Sequence, residues 1–138
     1  MNKNIEFLNQ KKIRLTPQRL LVYEILKKKG HATADEIFKE ALKTHPALSF
    51  ATVYTILELF KNKGFVSEIR IDFERSTFDI TTTLHHHFLC KNCSLIYDLD
   101  FPTCSALDKK NIQGHSIESF QGYLYGICKS CKEKRRRA

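Results

Sequence analysis

Four of the five cysteines in this 138-residue chain form two Cys-x-x-Cys pairs, Cys90/Cys93 and Cys128/Cys131, and this limits the fold more than any other feature. A two-residue gap lets both sulfurs of such a turn face one ion, and zinc favours four thiolates at the corners of a tetrahedron. In a reducing compartment paired thiols of this kind serve as metal ligands rather than disulfides. The first turn, Cys90-Lys-Asn-Cys93, leads into a predicted strand at Leu95, and the second, Cys128-Lys-Ser-Cys131, follows one ending at Ile127. With 34 residues between the pairs, wider than a usual zinc ribbon, a shared ion would pin the end of the chain to the middle of its second half. Cys104 is left over and reads as a small buried or idle thiol. The competing reading is a thiol oxidoreductase using one pair, which requires an exposed thiolate of lowered pKa and no tightly held metal.

Three residues before Cys90 ends the run His85-His86-His87. Side chains alternate along a strand, so His85 and His87 share a face and His86 points away. With Asp98 on the next predicted strand and Asp79 on the preceding one, the two imidazoles suggest a mixed nitrogen and oxygen site suited to Fe(II), Mn(II) or Zn(II).

The first half has a different pattern. Residues 13–64 predict three short helices. Thr16-Pro17 opens the first as N-cap and first helical residue, and Lys27-Lys28-Lys29-Gly30 closes it with the charge a helix C-terminus prefers. Thr33-Ala-Asp-Glu36 is a capping box for the second, followed by Ile37, Phe38, Ala41 and Leu42 at helical spacing, with Pro46 as the break. Ser49 caps the third, which ends at Gly64 and turns Val53, Ile56, Leu57 and Phe60 inward. Two β-rich stretches, Phe65–Ile71 and Ser76–Thr82, follow around a turn at residues 72–75. Three helices and a hairpin predict a winged helix-turn-helix, which lays one helix in the major groove. Ser49, Thr52, Tyr54, Thr55 and Lys61 on the third helix are candidates for phosphates or bases. Arg14, with Lys11-Lys12, could reach a neighbouring minor groove.

From about Thr83 the sequence reads mostly as strands: His87–Cys90, Leu95–Leu99 and Ser116–Cys128, with a short helical piece near Pro102–Lys110. The expected class is α+β, with a winged-helix DNA-binding domain over 1–82 and a small metal-binding α/β domain over 83–138. The net charge is +8, and residues 1–30 carry eight basic side chains against two acidic. A basic surface is the electrostatic footprint of a polyanion binder. A zinc-bearing interaction module with no role on DNA is the other reading of charge and cysteines together. No apolar run approaches the roughly 20 residues of a membrane span, and Met1–Gln10 is polar, unlike a signal peptide. A cytoplasmic protein with no membrane partner is expected.

Arg14-Leu-Thr-Pro-Gln-Arg19, His31-Ala-Thr-Ala-Asp-Glu-Ile-Phe38, Ser49-Phe-Ala-Thr-Val-Tyr54, His85-His-His-Phe-Leu-Cys90-Lys-Asn-Cys93 and Tyr125-Gly-Ile-Cys128-Lys-Ser-Cys131 together resemble the ferric-uptake-regulator family, in order over roughly residues 11–131. The resemblance implies a non-enzymatic, metal-dependent repressor. It would be a homodimer that binds an inverted-repeat operator in double-stranded DNA, with structural Zn(II) on the four cysteines and a regulatory metal between the domains. It adds Arg19 to the DNA-binding candidates. Among branches of the family, the peroxide-stress repressors resemble this chain most. For that branch the resemblance implies Fe(II) or Mn(II) on His31, Asp79, His85, His87 and Asp98, with His31 and His85 as the oxidation-sensitive ligands. Iron sensors tend to have Glu where this chain has Asp79 and Asp98, and often a His where it has Phe120. Zinc sensors place a Cys near Ile80 or Asp79. Iron- or zinc-responsive repression is the alternative. Family members often carry Asn or Arg at position 55 and a basic residue at 58, whereas Thr55 and Glu58 stand here, which implies a different operator sequence.

Overall fold

The computed structural model describes residues 3–72, 74–80, 85–100, 110–118, 120 and 122–137. The chain divides into two compact units, Met1–Thr82 and Thr83–Ala138.

The first unit begins with a helix that sequence pattern did not announce, α1 (Lys3–Gln10), which buries Leu8 completely and sets Phe7 against Tyr23 and Phe65. Helix α2 (Pro17–Lys29) starts where Thr16 Oγ1 accepts the Arg19 amide at 3.2 Å, and ends at Gly30, whose φ of +81° is a left-handed conformation that glycine adopts without strain. Three residues later the capping box is complete. The Thr33 amide donates to Glu36 Oε2 at 2.9 Å and the Glu36 amide donates to Thr33 Oγ1 at 3.2 Å, opening α3 (Ala34–Leu42). Ser49 caps α4 (Phe50–Asn62) by accepting the Thr52 amide at 3.1 Å. The helices bury Val22, Leu26, Ile37, Val53, Leu57 and Phe60 in one core, and Phe78 closes it from the sheet.

That sheet has three strands in the order β1-β3-β2: β1 (His31–Thr33), β2 (Ser67–Asp72) and β3 (Arg75–Asp79), all antiparallel. The hairpin β2–β3 is the expected wing, with strands shorter than the β-rich sequence suggested. Strand β1 is too short for any period to reveal it. It exists because Gly30 turns the chain back beside β3, where the Ile80 amide also donates to the Gly30 carbonyl at 3.1 Å.

One polar cluster ties α4 to the wing. Glu68, whose side chain is 8% exposed, accepts from Lys61 Nζ at 2.8 Å, from Ser76 Oγ at 2.6 Å and from Arg70 Nε at 3.3 Å. Burial alone would raise its carboxyl, but the hydrogen bonds from Lys61 and Ser76 outweigh it and hold the group at about 2.

The second unit is mostly sheet: β4 (His86–Cys90) lies between β5 (Ile96–Leu99), antiparallel, and β8 (Tyr123–Gly126), parallel. A two-stranded hairpin, β6 (Asn111–Ile112) with β7 (His115–Ser116), turns at Gln113-Gly114, both with positive φ. The single strand expected over Ser116–Cys128 is therefore divided, its ends going to β7 and β8. The chain then forms α5 (Lys129–Arg137). The helical piece expected near Pro102–Lys110, and Cys104 with it, fall at residues 101–109, outside the described residues.

Two outcomes follow for the first unit. Leu57→Ala is expected to cost it about 2–5 kcal/mol, because a fully buried side chain at the helix crossing leaves a cavity; urea denaturation followed by circular dichroism reads this, and a loss below about 1 kcal/mol contradicts that packing. Since folding lowers the Glu68 carboxyl from 4.5 to about 2, its contribution is fully present above pH 4.5 and is lost as pH falls toward about 2. Glu68→Gln should cost roughly 1–3 kcal/mol at neutral pH and flatten that acid limb; an unchanged stability-against-pH curve would count against the cluster.

Candidate metal centres and nucleic-acid interface

The four paired cysteines converge. One sulfur from each lies within 4.8 Å of all the others, with Cys90 Sγ–Cys131 Sγ at 3.9 Å and Cys93 Sγ–Cys128 Sγ at 3.8 Å. Sulfurs each about 2.3 Å from one zinc ion stand about 3.8 Å apart at the tetrahedral angle, so the quartet has the spacing of a zinc site. Local geometry builds it. Cys90 ends β4, Cys93 follows in the turn to β5, and Cys128 and Cys131 flank the start of α5. The Cys128 amide donates to Cys90 Sγ at 3.3 Å.

The thiols are tuned against one another. Backbone amides, that of Cys93 foremost, hold Cys90 at about 6 in spite of burial. The Tyr97 hydroxyl, then the Cys131 amide, lower Cys128. At Cys93 the Leu95 amide pulls down, but burial and the sulfurs of Cys90, Cys128 and Cys131 together push the thiol up to about 11. Four thiolates this close repel, so the quartet carries its full negative charge only with a cation at its centre. Cys90, the thiol held low, is fully buried. A redox dithiol needs that thiolate exposed, which argues against the oxidoreductase reading.

His87 on β4 and His85, the residue just before that strand, both reach toward Asp98 of β5. His85 Nε2 lies 3.7 Å and His87 Nε2 3.5 Å from Asp98 Oδ1, with the two rings 4.4 Å apart. The register sets His87 opposite Asp98. Nitrogen and oxygen atoms each about 2.0–2.2 Å from one ion stand about 3–3.6 Å apart, so this trio also has ligand spacing. His86 lies on the other face, buried, with its ring 6.4 Å from that of Phe120. Gly122 permits this: a Cβ there would come within 2.5 Å of His86 Nδ1.

In the first unit, His31 and Asp79 are partners across β1 and β3. Asp79 is fully buried and His31 half-buried. This adjacency could not be read from residues 48 positions apart, because it depends on β1.

The candidate nucleic-acid face lies on α4. Phe50, Ala51, Tyr54 and Thr55 are exposed at i, i+1, i+4 and i+5, which places them on one side of the helix. Ser49 and Thr52 lie at its N-terminus, their hydroxyls 2.8 Å apart, and Thr55 Oγ1 donates to the Ala51 carbonyl at 2.9 Å. Tyr54 is held by rings on two sides, Phe50 and Phe78, each with its centroid 6.4 Å away. Arg14 is exposed, and Arg19 Nη1 donates to the Arg14 carbonyl at 2.7 Å, so Arg19 braces the turn that presents Arg14. Lys61 is engaged otherwise, its ammonium held by Glu68 at 2.8 Å and near Glu58 at 3.5 Å. Sequence spacing could not show that, since Glu68 comes from the wing.

The profile of the Ferric uptake regulator family matches residues 10–125. The peroxide operon regulator of Bacillus subtilis (strain 168) is 32% identical over 137 residues, covering 97% of this chain and 94% of that protein. The peroxide-responsive repressor PerR of Staphylococcus aureus (strain Mu50) is 31% identical, covering 97% and 93%. Among solved structures, the Campylobacter jejuni peroxide stress regulator is similar with a TM-score of 0.69 and 32% identity, over 92% of this chain and 98% of that one. The Francisella tularensis ferric uptake regulator with iron is similar with a TM-score of 0.71 and 25% identity, over 87% and 95%. A winged helix followed by a small sheet carrying a cysteine quartet is thus joined to a match in sequence over nearly the whole chain, and the chain belongs to the Ferric uptake regulator family.

Proposed function

We propose that this protein is a homodimeric, metal-dependent transcriptional repressor that releases its operator DNA when peroxide oxidises a metal-ligating histidine. The trio of His85, His87 and Asp98, with its ligand atoms within 4.8 Å of one another, supports the reading most directly. The identity of 31–32% to peroxide-responsive regulators over nearly the whole chain supports it as well.

The four cysteines hold structural Zn(II) and keep the second unit folded. His31 and Asp79 from the first unit, with His85, His87 and Asp98 from the second, hold one Fe(II) or Mn(II) ion. Sharing a ligand set across two units restricts their relative motion, so the occupied state favours one spacing of the two α4 helices in a dimer, matched to the half-sites of an inverted repeat. On α4, Ser49, Thr52, Tyr54 and Thr55 face the bases and phosphates, while Arg14, braced by Arg19, approaches the neighbouring backbone. Fe(II) bound there would supply redox catalysis for hydrogen peroxide beside its ligands, giving up an electron and regaining it from the ring so that its oxidation state is unchanged overall. His31 or His85 then gains one oxygen atom from the peroxide at a ring carbon, the other peroxide oxygen leaving as water. An oxidised ring is a poor ligand, the shared set is broken, and the units are released. The oxidised histidine is a product and not an intermediate of turnover, so the protein is not an enzyme. No helix among the described residues is long and apolar enough to cross a membrane.

DNA binding by the zinc-loaded protein, with Mn(II) or Fe(II) added, before and after a low dose of hydrogen peroxide, tests the reading. The Fe(II) form alone should release DNA and gain one oxygen on the peptide carrying His31 or His85. If both forms hold DNA through peroxide and release it only on chelation, the protein responds to iron or zinc concentration and peroxide sensing is wrong. Asp98→Ala should abolish metal-stimulated DNA binding while leaving zinc content unchanged. Cys90→Ser should lose the zinc and the sheet signal of the second unit while the first still melts cooperatively; full zinc retention in that variant would contradict the quartet.

A further inference from the structure

We infer that α5 is a second DNA-binding surface, a basic arm on the metal-binding unit that grips the phosphate backbone without reading sequence. This rests on the reading of the protein as a DNA-binding regulator and extends it to a segment outside the winged helix. Six of the nine residues of Lys129–Arg137 are Lys or Arg and one is acidic, so this one helix carries +5 of the chain's net +8. Every residue of the helix except Cys131 is exposed. The basic side chains of the first unit that lie near carboxylates, Lys43, Lys61 and Arg70, are ion-paired. Among the described residues, no cation of α5 has an acidic partner within salt-bridge distance.

The helix dipole by itself favours cations in the last turn. It does not cover the pattern. Lys134, Arg135, Arg136 and Arg137 crowd that last turn, and Lys132 and Arg136 are like charges at i, i+4, which destabilise a helix. A nine-residue helix is also too short to persist in water by propensity. It persists because Cys128 and Cys131 anchor its first turn to the sulfur quartet. At about 100° per residue, Lys129, Lys132 and Arg136 lie together on a side turned away from Cys131, with Glu133 as the one carboxylate beside them. An exposed, metal-anchored stripe of unpaired cations has the complement of a line of phosphates, and the polyanion this family engages is duplex DNA.

The test uses the full-length, zinc- and Mn(II)-loaded protein on a random-sequence duplex of about 30 base pairs, with affinity measured over a salt series from about 50 to 200 mM. Lys132→Gln, Arg136→Gln and Arg137→Gln combined should lower the slope of log affinity against log salt by about 2–3 and weaken binding roughly tenfold or more. Zinc content and elution volume should be unchanged. The charge-preserving set Lys132→Arg, Arg136→Lys and Arg137→Lys should retain the wild-type slope, which separates charge from damage to the helix. An unchanged slope in the Gln variant overturns the inference. So does a variant that keeps its DNA slope but loses binding to phosphatidylglycerol vesicles, since the partner is then a membrane. If the wild-type chain binds no duplex at all, it is the proposed function that fails.

Discussion

The sulfur quartet is the constraint on which the second unit depends. Among its described residues, the buried cluster consists of Cys90, Cys128 and Cys131, with Phe88, Tyr97 and Ile127 packed partly against it. A cluster of that size contributes little apolar burial against the entropy of ordering a chain. An ion held by the quartet would add to it, since binding free energy at such a site is folding free energy. The first unit is the opposite case, with a continuous core running from Leu8 to Phe78 that needs no ion.

Strand β4 turns this structural site into a functional one. Its period of two sends His86, Phe88 and Cys90 to one face and His87 and Leu89 to the other, with His85 preceding His87 on the same side. Cys90 anchors the strand's end, pairing with β5 fixes Asp98 opposite His87, and Gly122 lets β8 approach closely under His86. The sulfur cluster and the nitrogen and oxygen cluster are therefore opposite faces of one strand. That arrangement suits the proposed sensor, in which one site would hold the fold and the other would respond.

In the first unit, the candidate functional residues sit at the ends of well-capped elements. Gly30, Thr33 and Glu36 fix the entry to α3, and the same turn lays His31 against Asp79. Ser49 and Thr52 begin α4, so the capped end is also the end expected at the DNA. Glu68 joins α4 to the wing through Lys61 and Ser76, linking the reading helix to the strand that carries Asp79. The described polar contacts of this unit thus connect the two places where a repressor must act together.

What the sequence by itself determined is what short-range chemistry encodes. The caps at Thr16, Thr33 and Ser49 located three helices because a cap is a bond between residues three apart. The Cys-x-x-Cys pairs and the alternation of His85 and His87 marked both metal clusters because two-residue spacing already fixes which face a side chain takes. Tertiary structure decided the rest. Helix α1 exists through the packing of Phe7 and Leu8, and β1 only because β3 accepts it. Lys61 was committed to Glu68 by the fold of the wing, and the tail became α5 because Cys131 is tied to Cys90 across the quartet. Each of these depends on partners distant in the chain, and local propensity carries no information about which distant residue will arrive.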